Sequence, residues 1–360
     1  MLICTIVGAR PQFMKTAMVS RELRHRQVRE VLIHTGQHYD TNMSDVFFDE
    51  LEIDPPQHHL GIGSGTQGEQ TGKMLHAIES ILLQERPDRV LVYGDTNSTL
   101  AGALAAAKLH ISVAHVEAGL RSFNRRMPEE INRVLTDLIS ELLFAPTETA
   151  IKNLENEGLT NGVHFTGDVM YDAALHFADT AERESRILEY LHLSAGQYIL
   201  ATIHRAENTD DTTMLHAIFD GFCRIASELP VVLPLHPRTK KALEREGLLN
   251  EVAQHVRFIE PVGYLDMIML EKNARLIATD SGGIQKEAFF YRVPCVTLRS
   301  ETEWVELVQL GWNRVIDPVS VEAVEAGLHE GLGSPEGIEA IPYGTGQASK
   351  EIVQLLLREE

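Results

Sequence analysis

The chain has 360 residues, of which 44% are hydrophobic and 23% are charged, enough for two globular domains with cores of their own. Its formal net charge of -20 disfavours a nucleic-acid partner, because the phosphate backbone would be repelled. Its three cysteines lie far apart, which excludes a Cys-x-x-Cys metal or redox motif and favours buried reduced thiols.

The first half of the chain alternates short apolar runs with helical patterns. Strands are predicted at 2–7, 30–34, 89–93, 112–116 and 142–144. Helices are predicted between them, including one over 43–51, whereas 54–66 is predicted as a loop because it contains Pro-Pro and three glycines. Near-continuous apolar strands that alternate with helices are typical of a parallel sheet buried on both faces.

The alternation restarts in the second half of the chain. Strands are predicted there at 198–203, 231–235, 256–259, 276–279 and 295–298. We therefore predict an α/β protein of two doubly wound, Rossmann-like domains, with the active site in the cleft between them. The predicted bounds are 1–168 for the N-terminal domain and 169–345 for the C-terminal domain. The segment 346–360 is predicted to be a helix that can pack back on the N-terminal domain.

Carboxylates follow two predicted neighbouring strands of the first half. Asp95 and Glu117 each end an apolar run, and open α/β sheets bind their ligands at the carboxyl ends of their strands. Two such acids can divide general-acid and general-base roles if burial separates their pKa values. The alternatives are structural: Asp95 can be a helix N-cap, and Glu129 and Glu130, after Pro128, can complement a helix dipole.

The turn after the first strand has the pattern of an anion site. Pro11 suits the first turn of a helix, whose N-terminus favours a phosphate, and Arg10 and Lys15 add positive charge. Both cations can also be plain surface charges. The segment 63–68 matches G-x-G-x-x-G but follows no predicted strand, so it is not assigned to dinucleotide binding. Because no Walker A sequence occurs either, nicotinamide and P-loop chemistry are disfavoured.

The predicted strand ends of the second half carry a histidine and a glycine-rich turn. His204 follows one strand, where it can be structural or functional. Ser281, Gly282 and Gly283 follow another and open a helix, and such small residues let backbone N–H groups approach a phosphate. Glu287 lies one turn into that helix, where it can accept hydrogen bonds from a ribose. A plain helix cap is the alternative, and no histidine spacing matches a metal site.

The chain resembles the non-hydrolysing UDP-N-acetylglucosamine 2-epimerases over essentially its full length. The motifs that carry the resemblance lie at 8–11, 35–38, 93–96, 115–121, 128–133, 204–208 and 280–283. It implies a GT-B-like fold and an isomerase that interconverts UDP-GlcNAc and UDP-ManNAc, by elimination of UDP to a 2-acetamidoglucal and re-addition, without nicotinamide or metal. It also implies a UDP-sugar as partner, a homodimer and a role in cell-envelope polysaccharide synthesis. The apolar run at 2–7 is too short for a signal peptide or a membrane span, and no other uncharged run is long enough, so a cytoplasmic location without a membrane partner is predicted. The net charge already predicts no nucleic-acid partner.

The resemblance also assigns roles to individual residues. Asp95, Glu117, Glu129 and His204 resemble the catalytic residues of the family. Substrate and UDP contacts are implied for seven positions: Arg10, Lys15, Met267, Ser281, Gly282, Gly283 and Glu287. Of these, Met267 falls where a backbone carbonyl meets uracil. Which acid abstracts the C2 proton and which donates it stays open.

Several positions depart from the common pattern of the family. The segment 302–306 places Trp304 where many UDP-GlcNAc enzymes have a cleft-lining arginine, and Gln12, Lys286 and 39–40 also differ. These variants are similar to the branch that epimerises UDP-2,3-diacetamido-2,3-dideoxyglucuronate, which is therefore the alternative substrate. They also leave open the regulatory UDP-GlcNAc site of some bacterial members. A GT-B glycosyltransferase is the alternative from another class, and it would not exchange the C2 proton.

Overall fold

A computed structural model describes residues 1–37, 53–333 and 337–358, with the backbone but not the side chains of Arg10 and Pro11. The helix predicted over 43–51 and the motif positions 38–40 lie outside the described residues. The chain divides into two compact units. The first unit comprises Met1–Leu175 and Ile341–Glu360, and the second unit comprises His176–Ala340.

The first unit is built on a parallel sheet. Its strands are β1 (Leu2–Val7), β2 (Arg29–His34), β3 (His58–His59), β4 (Arg89–Tyr93), β5 (Ser112–Val116), β6 (Leu142–Ala145) and β7 (Val163–Phe165). Within the described residues they pair in the order β3-β2-β1-β4-β5-β6-β7. The helices are α1 (Arg10–His25), α2 (Gln67–Glu85), α3 (Asn97–Lys108), α4 (Pro128–Ile139), α5 (Glu148–Asn156) and α6 (Val169–Glu184), which continues into the second unit.

The second unit repeats this plan. Its strands are β8 (Ile199–Thr202), β9 (Val231–Pro234), β10 (Arg257–Ile259), β11 (Leu276–Thr279), β12 (Cys295–Leu298) and β13 (Asn313–Ile316), all parallel, in the order β10-β9-β8-β11-β12-β13. The helices are α7 (Ile187–Tyr190), α8 (Ala206–Asp210), α9 (Thr212–Ile225), α10 (Pro237–Arg245), α11 (Leu249–Val252), α12 (Tyr264–Lys272), α13 (Gly282–Phe290), α14 (Val305–Gln309) and α15 (Val321–Gly333).

The last helix, α16 (Ala348–Leu356), belongs to the first unit and packs against α1. Asp172 of α6 holds its start: its carboxylate accepts hydrogen bonds from the backbone N–H groups of Ala348 (3.1 Å) and Ser349 (2.8 Å), and from the Ser349 hydroxyl (2.7 Å). A carboxylate at a helix N-terminus satisfies N–H groups that have no partner within the helix. The predicted bounds at 168 and 345 stay predictions.

Each sheet reverses its strand order at one point, between β1 and β4 in the first unit and between β8 and β11 in the second. Residues of these strands are almost entirely buried, because helices cover both faces of each sheet. Ligands of open α/β folds bind outside the carboxyl ends of the strands at such a reversal. In each unit, ligand-binding residues are therefore expected in the turns that follow these strands: after β1 and β4 in the first unit, and after β8 and β11 in the second.

The predicted α/β class with parallel sheets is confirmed, but three short strands were not predicted. β3 lies within the segment expected to be a loop, upstream of the glycine motif at 63–68. β3, β7 and β13 each lie at the edge of a sheet and have exposed or partly buried residues. Edge strands lack the continuous apolar run that identifies a strand buried on both faces. Within the described ranges, no helix is long and apolar enough to cross a bilayer.

Candidate functional site

Gln12 connects the two turns at the reversal point of the first sheet. Its side chain is buried, and its Oε1 accepts hydrogen bonds from the backbone N–H groups of Gly8 (2.7 Å) and Ala9 (2.9 Å). Its Nε2 donates to the carbonyl oxygen of Tyr93 (2.7 Å), which ends β4. The turn that leads into Arg10, the first residue of α1, is thereby fixed to the end of β4. In the sequence, Gln12 is recognisable only as a departure from the family pattern.

Glu117 lies directly after β5 and forms an ion pair with Lys15 of α1. Both side chains are largely buried, with exposed fractions of 11% for Glu117 and 9% for Lys15. Glu117 has a φ of 75°, which is uncommon for a residue other than glycine and is often found at functional sites. A Cβ on Gly94 would lie 3.2 Å from Oε2 of Glu117, so the glycine lets this carboxylate lie close to the turn after β4.

Asp95 follows β4 and is held by α4. Its carboxylate forms an ion pair with Arg133, and its backbone carbonyl accepts a hydrogen bond from Nδ2 of Asn132 (3.0 Å). Arg133 also pairs with buried Glu130, at 3.1 Å between Nη1 and Oε2. Asp95 remains 31% exposed, so it can meet a ligand while Arg133 fixes its position. Arg133 lies in the sequence motif at 128–133, but the sequence gives no sign of its contact with Asp95.

Glu129 is exposed in the first turn of α4, and its side chain forms no hydrogen bond or ion pair with the described residues. Asn132 and Arg133 follow it by three and four positions, a spacing that places side chains on the same face of a helix. Both of those residues contact Asp95. The structure thus brings Asp95 and Glu117 to neighbouring strand ends and places Glu129 on the helix face that contacts Asp95.

Asp280 organises the corresponding strand ends of the second unit. Its carboxylate is fully buried and accepts hydrogen bonds from the backbone N–H groups of His204 (3.0 Å) and Arg205 (2.9 Å), and from Nδ2 of Asn208 (3.2 Å). Nδ1 of His204 lies 3.4 Å from Oδ1 of Asp280, while the His204 side chain is 39% exposed. Asp280 therefore holds the turn after β8. An acid directly after a buried strand was the signal that could have identified it.

Ser281, Gly282 and Gly283 start α13 directly after β11. A Cβ on Gly282 would lie 2.5 Å from Oε1 of Glu303, whose other oxygen is held by Arg299 at 2.9 Å, so a larger residue would displace a paired carboxylate. A Cβ on Gly283 would meet only side-chain oxygens, at 3.9 and 4.0 Å. The first N–H groups of an α-helix lack partners within the helix, so this turn can bind an anion.

The other predicted contacts of the second unit lie near this helix start. Glu287 is buried on α13, and its Oε2 is 4.0 Å from the position that a Cβ on Gly283 would occupy. Met267 lies on α12 and packs against the apolar cluster that includes Ile284 of α13. The two helices, α12 and α13, are thus neighbours, so Met267 and Glu287 lie on adjacent helices of the second unit.

Trp304, which departs from the family pattern, also lies beside the turn formed by Ser281, Gly282 and Gly283 (the glycine turn). Its Nε1 is 3.7 Å from the Cβ position of Gly282, and Nζ of Lys286 lies 4.1 Å from the centroid of a Trp304 ring. Gln285 fixes this loop, because its Oε1 accepts a hydrogen bond from the Thr302 hydroxyl at 2.6 Å. Two of the positions that differ from the family pattern, Trp304 and Lys286, therefore contact each other.

No group of three or more metal-binding side chains was found among the residues whose structure is described. Carboxylates and cations are instead paired with each other at the strand ends, as for Glu117 with Lys15 and Asp95 with Arg133. Such pairs favour acid–base or electrostatic chemistry over metal binding.

Comparisons with known proteins decide the family. A profile described as UDP-N-acetylglucosamine 2-epimerase matches residues 21–357. The chain belongs to this family. A UDP-N-acetylglucosamine 2-epimerase homolog of Methanococcus maripaludis is 54% identical, over 99% of this chain and 99% of its own. The UDP-2,3-diacetamido-2,3-dideoxy-D-glucuronate 2-epimerase of Pseudomonas aeruginosa is 51% identical, over 99% of this chain and 100% of its own.

A solved structure of the 2-epimerase family is also similar over the full length. It is the crystal structure of the Methanocaldococcus jannaschii UDP-GlcNAc 2-epimerase in complex with UDP-GlcNAc and UDP, with a TM-score of 0.93, 45% identity, and coverage of 99% of each chain. The family predicted from the sequence motifs is thus confirmed, and the fold is that of the GT-B-like 2-epimerases. UDP-GlcNAc and UDP-2,3-diacetamido-2,3-dideoxy-D-glucuronate, the two substrates that the sequence indicates, both occur among the names of these relatives.

Proposed function

We propose that this protein is a non-hydrolysing 2-epimerase that interconverts UDP-GlcNAc and UDP-ManNAc. The observation that carries the proposal is the pair of carboxylates at adjacent strand ends, Asp95 and Glu117, each paired with a basic side chain. Membership of the 2-epimerase family supports it. A protein that only binds a nucleotide sugar gains nothing from carboxylates beside an anionic ligand, whereas proton transfer at a sugar carbon requires them.

The proposed reaction is an elimination followed by an addition. The bond between C1 and the UDP oxygen breaks, and UDP leaves with its electron pair. A carboxylate removes the C2 proton, and the electrons of the C2–H bond form the C1=C2 bond of 2-acetamidoglucal. UDP then adds back at C1 while a proton is delivered to the opposite face of C2. Since each step of this route moves a proton or UDP and none transfers a hydride, the route needs no nicotinamide.

In this proposal Asp95, Glu117 and Glu129 carry the proton to and from C2. The forward and reverse reactions use the same groups in opposite roles, so the three acids are assigned as a set. Lys15 and Arg133 fix two of these carboxylates through the ion pairs described above. Positioning of this kind is a large part of what an enzyme contributes to a proton transfer.

The second unit is proposed to bind UDP. The N–H groups at the start of α13, with Ser281, Gly282 and Gly283, suit the diphosphate. His204 is proposed to lie near the diphosphate and to assist its departure, and Glu287 is proposed to bind the ribose. The remaining assignments also follow the family: the backbone carbonyl of Met267 to uracil, and Arg10 and Lys15 to the substrate.

Gly283→Ala is expected to raise the Kd for UDP at least about tenfold, with little change in stability. The added methyl would have ordinary contacts with the protein, at 3.9 and 4.0 Å, but would occupy space proposed for the diphosphate. Calorimetric titration with UDP measures the affinity. The matched control is Gly72→Ala on α2, where a Cβ meets nothing within 4 Å. Unchanged affinity in the Gly283 variant would show that the diphosphate does not bind at this turn.

The alternative substrate is UDP-2,3-diacetamido-2,3-dideoxyglucuronate, undergoing the same chemistry. The name of the 51% identical relative favours it, as does Trp304 beside the glycine turn. This sugar carries a carboxylate at C5 and an acetamido group at C3, where UDP-GlcNAc has hydroxymethyl and hydroxyl groups. A comparison of kcat/KM for the two sugars decides between them.

The proposed activity is tested by starting the reaction from either epimer. NMR of the anomeric protons should show UDP-GlcNAc and UDP-ManNAc converging on the same ratio from both sides, with total UDP-sugar conserved. Accumulation of free UDP would indicate hydrolysis instead. Consumption of sugar only when an acceptor is added would indicate the glycosyltransferase alternative.

We also propose that the protein is a homodimer. Ile131, Leu135 and Leu138 lie on one face of α4, spaced by four and three positions, and they are 47%, 42% and 62% exposed. Phe123, in the segment before α4, is 74% exposed. An apolar helix face of this kind is typical of an interface, and most soluble oligomers pair identical surfaces.

Leu138→Glu is expected to convert the dimer to a monomer without unfolding it, because the side chain is 62% exposed and a glutamate would be buried at the interface. Analytical ultracentrifugation measures the mass. Val319→Glu, at a 56% exposed position of the second unit, is the control and should leave the mass unchanged. A wild-type monomer, or a dimeric Leu138 variant, would contradict this interface.

A cytoplasmic location and a role in cell-envelope polysaccharide synthesis complete the proposal. Cys4, Cys223 and Cys295 are all free thiols, as expected in a reducing compartment. The product of the proposed reaction is an activated N-acetylated sugar, the form in which polysaccharide-building transferases accept their donors.

A further inference from the structure

A buried histidine lies directly behind the strand ends that carry the two proposed acids. His115 is on β5, and its side chain is fully buried. Its Nδ1 lies 2.6 Å from Oδ1 of Asp137, and its Nε2 lies 2.7 Å from the carbonyl oxygen of Gly94. The imidazole therefore bridges α4 and the turn after β4.

Asp137 extends this bridge to the turn after β5. Its Oδ2 accepts hydrogen bonds from the backbone N–H of Gly119 (3.0 Å) and from Nη1 of Arg121 (2.7 Å). Arg121 in turn forms an ion pair with Glu157 at 2.6 Å. Burial alone would raise the pKa of Asp137, but the charges and hydrogen bonds of His115 and Arg121 outweigh it and hold this pKa below its ordinary value.

Both contacts of His115 are with acceptors. A carbonyl oxygen and a carboxylate can only accept, so both ring nitrogens must donate for the two contacts to be hydrogen bonds. A neutral imidazole has a single N–H and would turn a lone pair towards one of these oxygens.

The bridged turns are those that present the acids. Gly94 directly precedes Asp95, and Gly119 follows Glu117 by two positions. The backbone at both turns is in the left-handed region, with φ of 62° at Gly94, 75° at Glu117 and 81° at Gly119. At Glu117, which is not a glycine, such a conformation needs support from surrounding contacts, and the His115–Asp137 pair is hydrogen-bonded to both turns.

We propose that His115 is a positioning residue, held as an imidazolium, that fixes the turns carrying Asp95 and Glu117 relative to each other. The inference rests on the proposed function, because those two acids are the groups that need a fixed spacing. The His115 side chain is fully buried and acts through the backbone at Gly94 and through Asp137.

Replacing His115 with either of two amide side chains tests its two hydrogen bonds one at a time. His115→Gln places an amide near the position of Nε2 and can keep the bond to Gly94, whereas His115→Asn places one near Nδ1 and can keep the bond to Asp137. Each variant keeps one bond and loses the bridge. We expect both to lower kcat about a hundredfold, the usual effect of displacing a catalytic group by about 1 Å. The KM should stay within about twofold, because UDP binding is untouched.

The control is His164→Gln on β7, a strand histidine of the same sheet that lies outside this network, and its kcat should be unchanged. A purely structural role for His115 would lower the folded fraction but leave kcat per folded molecule at the wild-type value. That outcome would overturn the proposal.

A second measurement needs neither turnover nor a variant that folds. Nitrogen-15 NMR of the wild-type protein should show one fully buried histidine with protons on both ring nitrogens, as its two acceptor partners require. A single ring proton on His115 would overturn the inference. If the protein epimerises UDP-GlcNAc but His115 is neutral, this inference is wrong and the proposed function stands. If His115 is an imidazolium but no epimerisation occurs, the proposed function is wrong.

Discussion

Replacing Glu117 with glutamine is expected to lower kcat by about a thousandfold while UDP binding is retained, within the range typical of a lost general acid or base. Glutamine has the size of glutamate and can occupy the same position after β5, but it cannot take up the C2 proton. The Lys15 cation, 9% exposed, loses its ionic partner as well, so some loss of stability should accompany the loss of activity.

Rate and stability are separated by measuring kcat per folded molecule together with the unfolding midpoint. UDP affinity, measured by calorimetry, should stay close to the wild-type value because the residues proposed to bind the diphosphate, the ribose and the uracil lie in the second unit. Glu155→Gln is the matched control, since Glu155 is exposed on α5 of the same unit. A folded Glu117 variant with normal kcat would exclude this residue from proton transfer.

Replacing Arg133 with methionine is expected to lower the free energy of unfolding by about 3 kcal/mol, the usual cost of removing one partner from a buried ion pair. Arg133 pairs with two carboxylates, and that of Glu130 is only 3% exposed. Methionine can fill the space of the aliphatic stem but leaves both acids without this cation. Because Asp95 is one of them, kcat should fall in the same variant.

Denaturant unfolding measures the stability of the Arg133 variant, and NMR of the two epimers measures its kcat. Arg126→Met is the control, because Arg126 is exposed just before α4 and such a change usually costs less than about 0.5 kcal/mol. Equal stability of the two variants would show that the Arg133 ion pairs contribute nothing.

The central strands and the α/β class could be predicted from the sequence because a strand that is buried on both faces is a continuous apolar run. β1, β4, β5, β8 and β11 are apolar runs covered by helices on both faces. The edge strands β3, β7 and β13 are not continuous apolar runs. They form because their backbone groups hydrogen-bond to a neighbouring strand. The periodicity of the sequence does not by itself give the strand order, because that order depends on pairing between distant segments.

The candidate site was predictable where a residue's role follows from its place in the chain. Asp95, Glu117, His204 and the turn at Ser281 all follow apolar runs, and the structure places them at strand ends. Their supporting residues were missed because each acts across a long separation in sequence. Arg133 contacts Asp95 from α4, and Asp280 holds the turn at His204 from another strand. Such contacts exist only in the folded protein.

The left-handed backbone at Glu117 could not be predicted from the sequence either. A residue other than glycine gives no local signal for a positive φ, which is imposed here by the surrounding structure. The buried bridge of His115 and Asp137 supplies part of that constraint, through the N–H of Gly119. Residues that appear in a sequence motif without obvious chemistry can thus serve to position those that have it.

The central claim is that the C2–H bond of a UDP-sugar breaks and re-forms on this protein. It is tested most directly by incubating the protein with UDP-GlcNAc in D2O and following C2 by NMR. Deuterium should appear at C2 of both epimers while total UDP-sugar is conserved, and the Glu117→Gln variant should incorporate it far more slowly. Absence of deuterium at C2, with UDP-GlcNAc and with the diacetamido uronate alike, would contradict the account.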